Sequence, residues 1–192
     1  MMKPLFLQEF RKKPKAVEDM QERAYEVLDE MNMRNVSFGG TRIISILNEF
    51  GIKTYISEID PPNLSAYIAI DPILMDKFGT NRVACVNTVR SDGHKRFAIA
   101  HELAHYLFDY DEDKDAVYYD TYIADQKEPI EEKELRANRF AACILMPEDI
   151  FKEKYAEAKA SKLIPNVTER LARYFRVSPK AVEKRFSELG LS

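Results

Sequence analysis

The spacing of apolar residues predicts helices at both ends of the chain. From Ala16 to Met31, apolar side chains recur every three or four residues with charged residues between them, which is typical of an amphipathic helix. A second helix is predicted over residues 41–50, before Gly51, a residue type that suits the position just after a helix. Helical patterns return in the second half of the chain, over residues 134–147, 148–160, 168–175 and 178–190.

Three segments between these helices have the pattern of strands. Residues 52–59, 64–71 and 81–89 are short and rich in β-branched or aromatic side chains. The following stretch, 109–133, is acidic and rich in tyrosine, so we assign it no strand and interpret residues 109–115 as a solvated loop. Helices, a small sheet and further helices indicate an α+β fold that is mainly helical, with a three-stranded sheet and C-terminal helices.

The chain length and the punctuation of the sequence suggest how the chain is divided. A length of 192 residues fits one domain. Residues 1–15 contain Pro4, Pro14 and an excess of basic side chains, and we expect them to form a loosely attached N-terminal arm. Residues 16–147 are predicted to form the main domain. Residues 148–192 are predicted to form a C-terminal helical extension that packs on this same domain.

Composition narrows the location and the partners of the protein. The net charge is −3, from 29 basic and 32 acidic residues, and this balance argues against direct nucleic-acid binding. Cys85 and Cys143 are the two cysteines, and their spacing does not suggest a disulfide framework, so we expect a reducing, cytoplasmic compartment. The sequence has no apolar run approaching the ~18 residues of a membrane span, so no membrane association is expected.

Residues 96–108, RFAIAHELAHYLF, place three ionisable side chains in an apolar helix. At about 100° per residue, His101 and His105 lie one turn and about 40° apart, so both imidazoles can reach one ion. Glu102 lies beside them, where the HExxH pattern places the general base of a zinc hydrolase. Because buried ionisable groups without partners are costly, either a metal ion or a buried hydrogen-bond network must compensate them.

A catalytic zinc ion needs a third protein ligand, and the sequence offers two candidates. Asp111 follows His105 by six residues, as in a longer zinc motif, but Phe108 stands where that motif needs a glycine to turn the chain. Glu134 shares one face of the second apolar helix with Asn138. Acidic residues in a first turn can merely complement the helix dipole, yet Glu134 is the acid best placed against the first helix. We predict Glu134 as the third ligand.

The two apolar helices together resemble a known family. RFAIAHELAHYLF, followed by ELRANRFAACILMP at residues 134–147, is similar to the two signatures of the ImmA/IrrE family of zinc metallopeptidases. The resemblance extends over roughly residues 20–191 and does not include the N-terminal arm. Ala104 stands where glycine is common in the family, and Ile144 replaces a leucine; both changes are conservative.

Residue by residue, the resemblance implies a zincin-like metallopeptidase fold for residues 16–147 and a zinc centre within it. His101, His105 and Glu134 would be the ligands of Zn²⁺, and Glu102 the catalytic acid/base. The donor that stabilises the oxyanion stays open, with four candidates: Tyr118, Tyr119, Tyr122 and His94.

The family also implies a biological role, with alternatives that the sequence leaves open. The resemblance implies a cytoplasmic zinc endopeptidase whose substrate is a helix-turn-helix transcriptional repressor, or another regulator of a mobile element or stress response. One alternative is a non-proteolytic regulator or antitoxin-type partner that binds a repressor. Another is a DNA-binding regulator, because residues 168–186 contain six basic and two acidic residues. The apolar positions of that region favour packing on the main domain instead.

Overall fold

The computed structural model describes residues 4–34, 40–112, 117–123, 131–160 and 166–191. The helices in these ranges are α1 Pro4–Lys12, α2 Met20–Glu30, α3 Ile43–Glu49, α4 Leu74–Phe78, α5 Asp92–Phe108, α6 Glu132–Leu145, α7 Glu148–Ala160, α8 Val167–Phe175 and α9 Pro179–Leu189. The strands are β1 Lys53–Ser57, β2 Leu64–Ile70, β3 Arg82–Asn87 and β4 Tyr118–Ile123. The predicted α+β, mainly helical fold class is confirmed.

The sheet has four strands in the order β1-β3-β2-β4, one more than the sequence predicted. β1 runs parallel to β3, whereas β2 is antiparallel to both β3 and β4. The additional strand, β4, lies at the edge of the sheet, in the stretch to which no strand was assigned. Its sequence, YYDTYI, has no regular alternation of apolar and polar residues and lies in an acidic stretch, so no strand was assigned to it.

Helix α5 lies at the centre of the molecule. It contacts β2, β3 and β4 on one side and α6 on another. Every residue of α5 from Ala98 to Phe108 is buried, which explains why so few positions of this helix are polar. Helix α6 is buried over most of its second half and also packs against α2. The two apolar helices singled out in the sequence are therefore neighbours in the core.

The N-terminal segment differs from the loosely attached arm expected from the sequence. Residues 4–12 form helix α1, and the side chain of Phe10 is 1% exposed. The ring of Phe10 packs against that of Phe108, at the end of α5, with a centroid distance of 5.5 Å. Arg23 of α2 donates a hydrogen bond to the carbonyl oxygen of Phe10. The division into an arm, a main domain and an extension stays a prediction.

The C-terminal helices pack on the start of α5. Ser178 caps α9 by accepting a hydrogen bond from the backbone N–H of Ala181. The turn between α8 and α9 lies so close to α5 that a Cβ atom at Gly93 would be 2.8 Å from the backbone nitrogen of Ser178 and from the carbonyl carbon of Val177. Among the described helices, none is long and apolar enough to cross a membrane.

Candidate metal centre

Helices α5 and α6 bring His101, His105 and Glu134 together. The Nε2 atoms of the two histidines, on successive turns of α5, lie 2.9 Å apart. Glu134 reaches them from the first turn of α6, with 3.2 Å between one carboxylate oxygen and His101 Nε2, and 3.3 Å between the other and His105 Nε2. Each residue offers one ligand atom, and the three atoms lie within 4.8 Å of one another, so this group could hold a metal ion.

The outer nitrogens of both imidazoles are also held. His101 Nδ1 lies 3.1 Å from Asn138 Oδ1, and His105 Nδ1 lies 2.7 Å from Asp109 Oδ2. Both partner atoms are acceptors, so each ring carries its proton on Nδ1 and turns the lone pair of Nε2 inward. Such outer hydrogen bonds fix the orientation of histidines that bind metal ions.

The two Nε2 atoms and the carboxylate that face one another favour a bound cation. The lone pairs of two Nε2 atoms and a carboxylate converge, and only a proton or a metal ion among them relieves their repulsion. Burial lowers the pKa of His105, but its bonds with Asp109 and Glu134 outweigh burial and raise it to about 10. With a proton on the Nε2 side, hydrogen bonds from His101 and His105 hold the pKa of Glu134 well below its usual range. Two imidazole nitrogens and one carboxylate are a ligand set of catalytic zinc sites.

Glu102 lies beside this group, in a different environment. Its side chain has no solvent exposure, and neither carboxylate oxygen accepts a hydrogen bond of normal geometry from the residues that the structure describes. Burial raises the pKa of Glu102 to about 8, with a further contribution from Asp120 and Glu134, while the charge of His105 acts in the opposite direction. A carboxyl group of this kind can take up and release a proton near neutral pH.

Strand β4 supplies three residues to the site: Tyr118 and Tyr122, which were candidates from the sequence, and Asp120, which was not. Asp120 Oδ2 lies 3.6 Å from His105 Nδ1 and accepts a hydrogen bond of 3.0 Å from the Tyr118 hydroxyl. The ring of Tyr122 covers His101, with a centroid distance of 4.3 Å. These three residues occupy alternate positions of β4, and the strand-favouring Tyr, Thr and Ile of its sequence, YYDTYI, were the signal that could have revealed the strand.

The four candidate donors for the oxyanion differ in their surroundings. Tyr119 is 57% exposed and donates a hydrogen bond to Asp71, so it faces away from the metal centre. His94 Nε2 lies 3.1 Å from Ser65 Oγ, and the His94 ring is 6.2 Å from that of Tyr122. Tyr122 is therefore the candidate that contacts the centre directly, and Tyr118 is linked to His105 only through Asp120.

The acidic residues after α5 differ from the sequence interpretation. Asp109 is not part of a solvated loop: it is mostly buried and accepts hydrogen bonds from His105 and from Arg136 of α6. Asp111, the nearer candidate for the third ligand, does not belong to the group of described residues that could share a metal ion. Glu134 does belong to that group.

Comparisons with known proteins agree with this architecture. Residues 47–187 match a peptidase family, Peptidase_M78, described as the IrrE N-terminal-like domain. A solved structure described as a Mycobacterium tuberculosis transcriptional regulator is similar in fold, with a TM-score of 0.55 at 20% sequence identity. The match covers 95% of this chain and 50% of that protein, so the chain spans about half its length. None of the curated proteins compared matches the chain.

Proposed function

Because the chain belongs to the ImmA/IrrE family of peptidases, we propose that it is a zinc-dependent endopeptidase. The family supports a metallopeptidase-type function and a protein substrate. The observation that carries the proposal is the group of His101, His105 and Glu134 beside Glu102, a carboxyl group that is fully buried.

In this proposal, His101 and His105 hold the metal ion through Nε2, and Glu134 holds it through its carboxylate. Three such ligands leave a position open for water or substrate. Zinc bound there would lower the pKa of its water and polarise a peptide carbonyl group. Asn138 and Asp109 keep the two ring protons at Nδ1, so that both Nε2 lone pairs stay directed inward.

Glu102 is the proposed acid/base. As a carboxylate it accepts a proton from the attacking water, and it then donates that proton to the amine nitrogen that leaves. Its burial favours the protonated form after the first transfer, because a desolvated carboxylate is costly. No described side chain donates a hydrogen bond of normal geometry to its oxygens, which leaves them available for this transfer.

The proposed substrate is a helix-turn-helix transcriptional repressor or another regulator of a mobile element or stress response. The family resemblance supports this choice, and the similar Mycobacterium tuberculosis protein is described as a transcriptional regulator. We also propose a cytoplasmic location, where the free thiols of Cys85 and Cys143, both buried, stay reduced.

DNA binding through α8 and α9 has less support than proteolysis. A helix-turn-helix needs the N-terminal end of its second helix free to enter a groove. Here that end follows a turn that packs directly against Gly93 of α5. Among the basic side chains of α8 and α9, Arg185 is buried in the packed helical pair, and the others are exposed or partly exposed.

The test is Glu102→Gln in the full chain, with Glu132→Gln on the exposed first turn of α6 as the matched control. We expect Glu102→Gln to retain zinc, measured by elemental analysis, and to lose peptide cleavage by about 10²–10⁴-fold. Cleavage is measured by mass spectrometry on casein and on a helix-turn-helix repressor from the same cell. Cleavage at the wild-type rate would contradict the proposal. A repressor inactivated by Glu102→Gln without cleavage would favour the non-proteolytic alternative.

A further inference from the structure

The last turn of α5 carries His105, and Asp109 follows it directly. The last four carbonyl groups of a helix have no partner within the helix. The carbonyl oxygen of His105 accepts hydrogen bonds from the backbone N–H groups of Asp109 and Tyr110, at 2.9 and 3.2 Å. The next three carbonyl groups, at residues 106–108, need partners from elsewhere in the chain.

Two cations of the N-terminal segment supply those partners. Arg11 donates from Nη2 to the carbonyl oxygen of Tyr106 at 2.9 Å and from Nε to that of Leu107 at 3.4 Å. Lys15 Nζ donates to the carbonyl oxygen of Phe108 at 2.7 Å. Cations are favoured at the C-terminal end of a helix, because the helix dipole places partial negative charge there.

The segment that carries these cations is fixed from its other side as well. Arg23 of α2 is 2% exposed, its guanidinium carbon lies 3.5 Å from the centre of the Phe10 ring, and it donates to the carbonyl oxygen of Phe10. Phe10 in turn packs on Phe108. Helix α1 is thus held between α2 and the end of α5, where it can define the position of the last turn.

The position of that turn determines whether Asp109 meets His105. Asp109 must accept from His105 Nδ1 with one oxygen and from Arg136 with the other. A shift of the chain where it leaves α5 would move Asp109 relative to both donors. Burial lowers the pKa of Lys15, and the nearby carboxylate of Asp109 opposes this shift.

We propose that Arg11 and Lys15 are positioning residues of the candidate metal centre, which hold the last turn of α5 so that Asp109 accepts the Nδ1 proton of His105. This inference rests on the proposed function, in which His105 is a metal ligand. It gives a role at the site to a segment that lies before residue 47, where the match to the family begins.

The test compares two double variants of the full chain. Arg11→Gln/Lys15→Gln removes the donors to α5, whereas Lys12→Gln/Lys13→Gln removes two cations of the same segment that pair with Glu9 and Glu26. Zinc affinity is measured by competition with a chelator. We expect the first variant to bind zinc about tenfold more weakly, which is the low end of the affinity loss when a metal ligand loses its outer hydrogen bond. The second variant should bind zinc as wild type does.

A second readout follows the hydrogen bond itself. The proton on His105 Nδ1 gives a downfield NMR resonance while it is bound to Asp109, and we expect the first variant to shift or broaden it. Lys15→Arg, which can still donate to the Phe108 carbonyl, should restore both readouts when Arg11 is intact. If the double variant does not fold, Lys15→Gln alone, which keeps both bonds of Arg11, replaces it.

The outcomes separate this inference from the proposed function. Wild-type zinc affinity and an unchanged resonance in a folded Arg11→Gln/Lys15→Gln protein would overturn the positioning role. An equal loss in Lys12→Gln/Lys13→Gln would also overturn it, because general charge would then explain the effect. A wild-type protein that binds no zinc contradicts the proposed function instead, and the resonance in the zinc-free protein then decides whether Arg11 and Lys15 position Asp109.

Discussion

Glu102 combines complete burial with carboxylate oxygens that accept no hydrogen bond of normal geometry from the described part of the chain. A fold gains nothing from such a group, because its charged form loses hydration without replacement. His101 and His105, on the same helix, have partners at both ring nitrogens. This contrast supports the proposed role of Glu102 in chemistry rather than in stability.

The effect of Glu102 on the free energy of unfolding should depend on pH in the zinc-free protein. Its pKa is raised from 4.5 to about 8 in the folded state, so the fold favours the protonated form. The stability that protonated Glu102 gives the fold is fully present below about pH 4.5 and is lost as pH rises through 8. Glu102→Gln imitates the protonated form at every pH. Its free energy of unfolding should therefore equal that of wild type near pH 4.5 and exceed it by up to about 5 kcal/mol at pH 9.

Urea unfolding of both zinc-free proteins between pH 4.5 and 9 measures this difference. The other titrating groups are common to both proteins, so the subtraction isolates Glu102 and its coupling to His105. Two stability curves that run parallel over this range would show that Glu102 is not desolvated as the structure describes.

At the scale of elements, the contact between Gly93 and the turn before α9 holds the C-terminal helices on α5. Alanine favours helix over glycine by up to about 1 kcal/mol. Against this, the new Cβ would meet backbone atoms of Val177 and Ser178 at 2.8 Å, and backbone cannot move aside as a flexible side chain can. Overpacking of this kind costs about 1–3 kcal/mol, so we expect Gly93→Ala to be destabilised by about 1–2 kcal/mol.

Denaturant unfolding checks this expectation, with Glu183→Ala at an exposed position of α9 as the control, expected within about 0.5 kcal/mol of wild type. A Gly93→Ala protein as stable as wild type would mean that the turn does not press on α5. It would also reopen the possibility that the start of α9 is free to contact DNA.

Elements with strong periodicity could be predicted from the sequence, and those without it could not. Helices α5 and α6 have long apolar faces, and spacing within α5 was enough to pair His101 with His105, whereas Glu134 was chosen as the best-placed acid of the second helix, with support from the family resemblance. Strand β4 was missed because its sequence, YYDTYI, has no regular alternation of apolar and polar residues and lies in an acidic stretch. The burial of Asp109 was missed because its partners, His105 and Arg136, lie on two helices whose relative position no local pattern reveals.

At the scale of the whole molecule, Arg185 connects helices that are distant in sequence. It is 1% exposed on α9, donates from Nε to the carbonyl oxygen of Met146 at 3.2 Å and from Nη2 to Gln21 of α2, and pairs with Glu188 at 3.1 Å. Met146 directly follows α6, the helix of Glu134. The C-terminal extension is thereby tied to helices before and after the sheet, which predicts that the chain unfolds as one cooperative unit.

Replacing Arg185 with alanine should shift that single transition rather than split it. The change leaves the Met146 carbonyl oxygen and Gln21 without this donor, whereas Glu188 still pairs with Arg139 at 2.6 Å. We therefore expect the free energy of unfolding to fall by about 3 kcal/mol, which is near the low end for a broken buried ion pair. For a chain of this length the melting temperature should fall by about 6–12 °C. Calorimetry measures this, with the exposed neighbour Lys184→Ala as the control for charge. Two separate transitions in Arg185→Ala would instead identify residues 148–192 as a unit that folds independently, and the centre around Glu134 would then not depend on it.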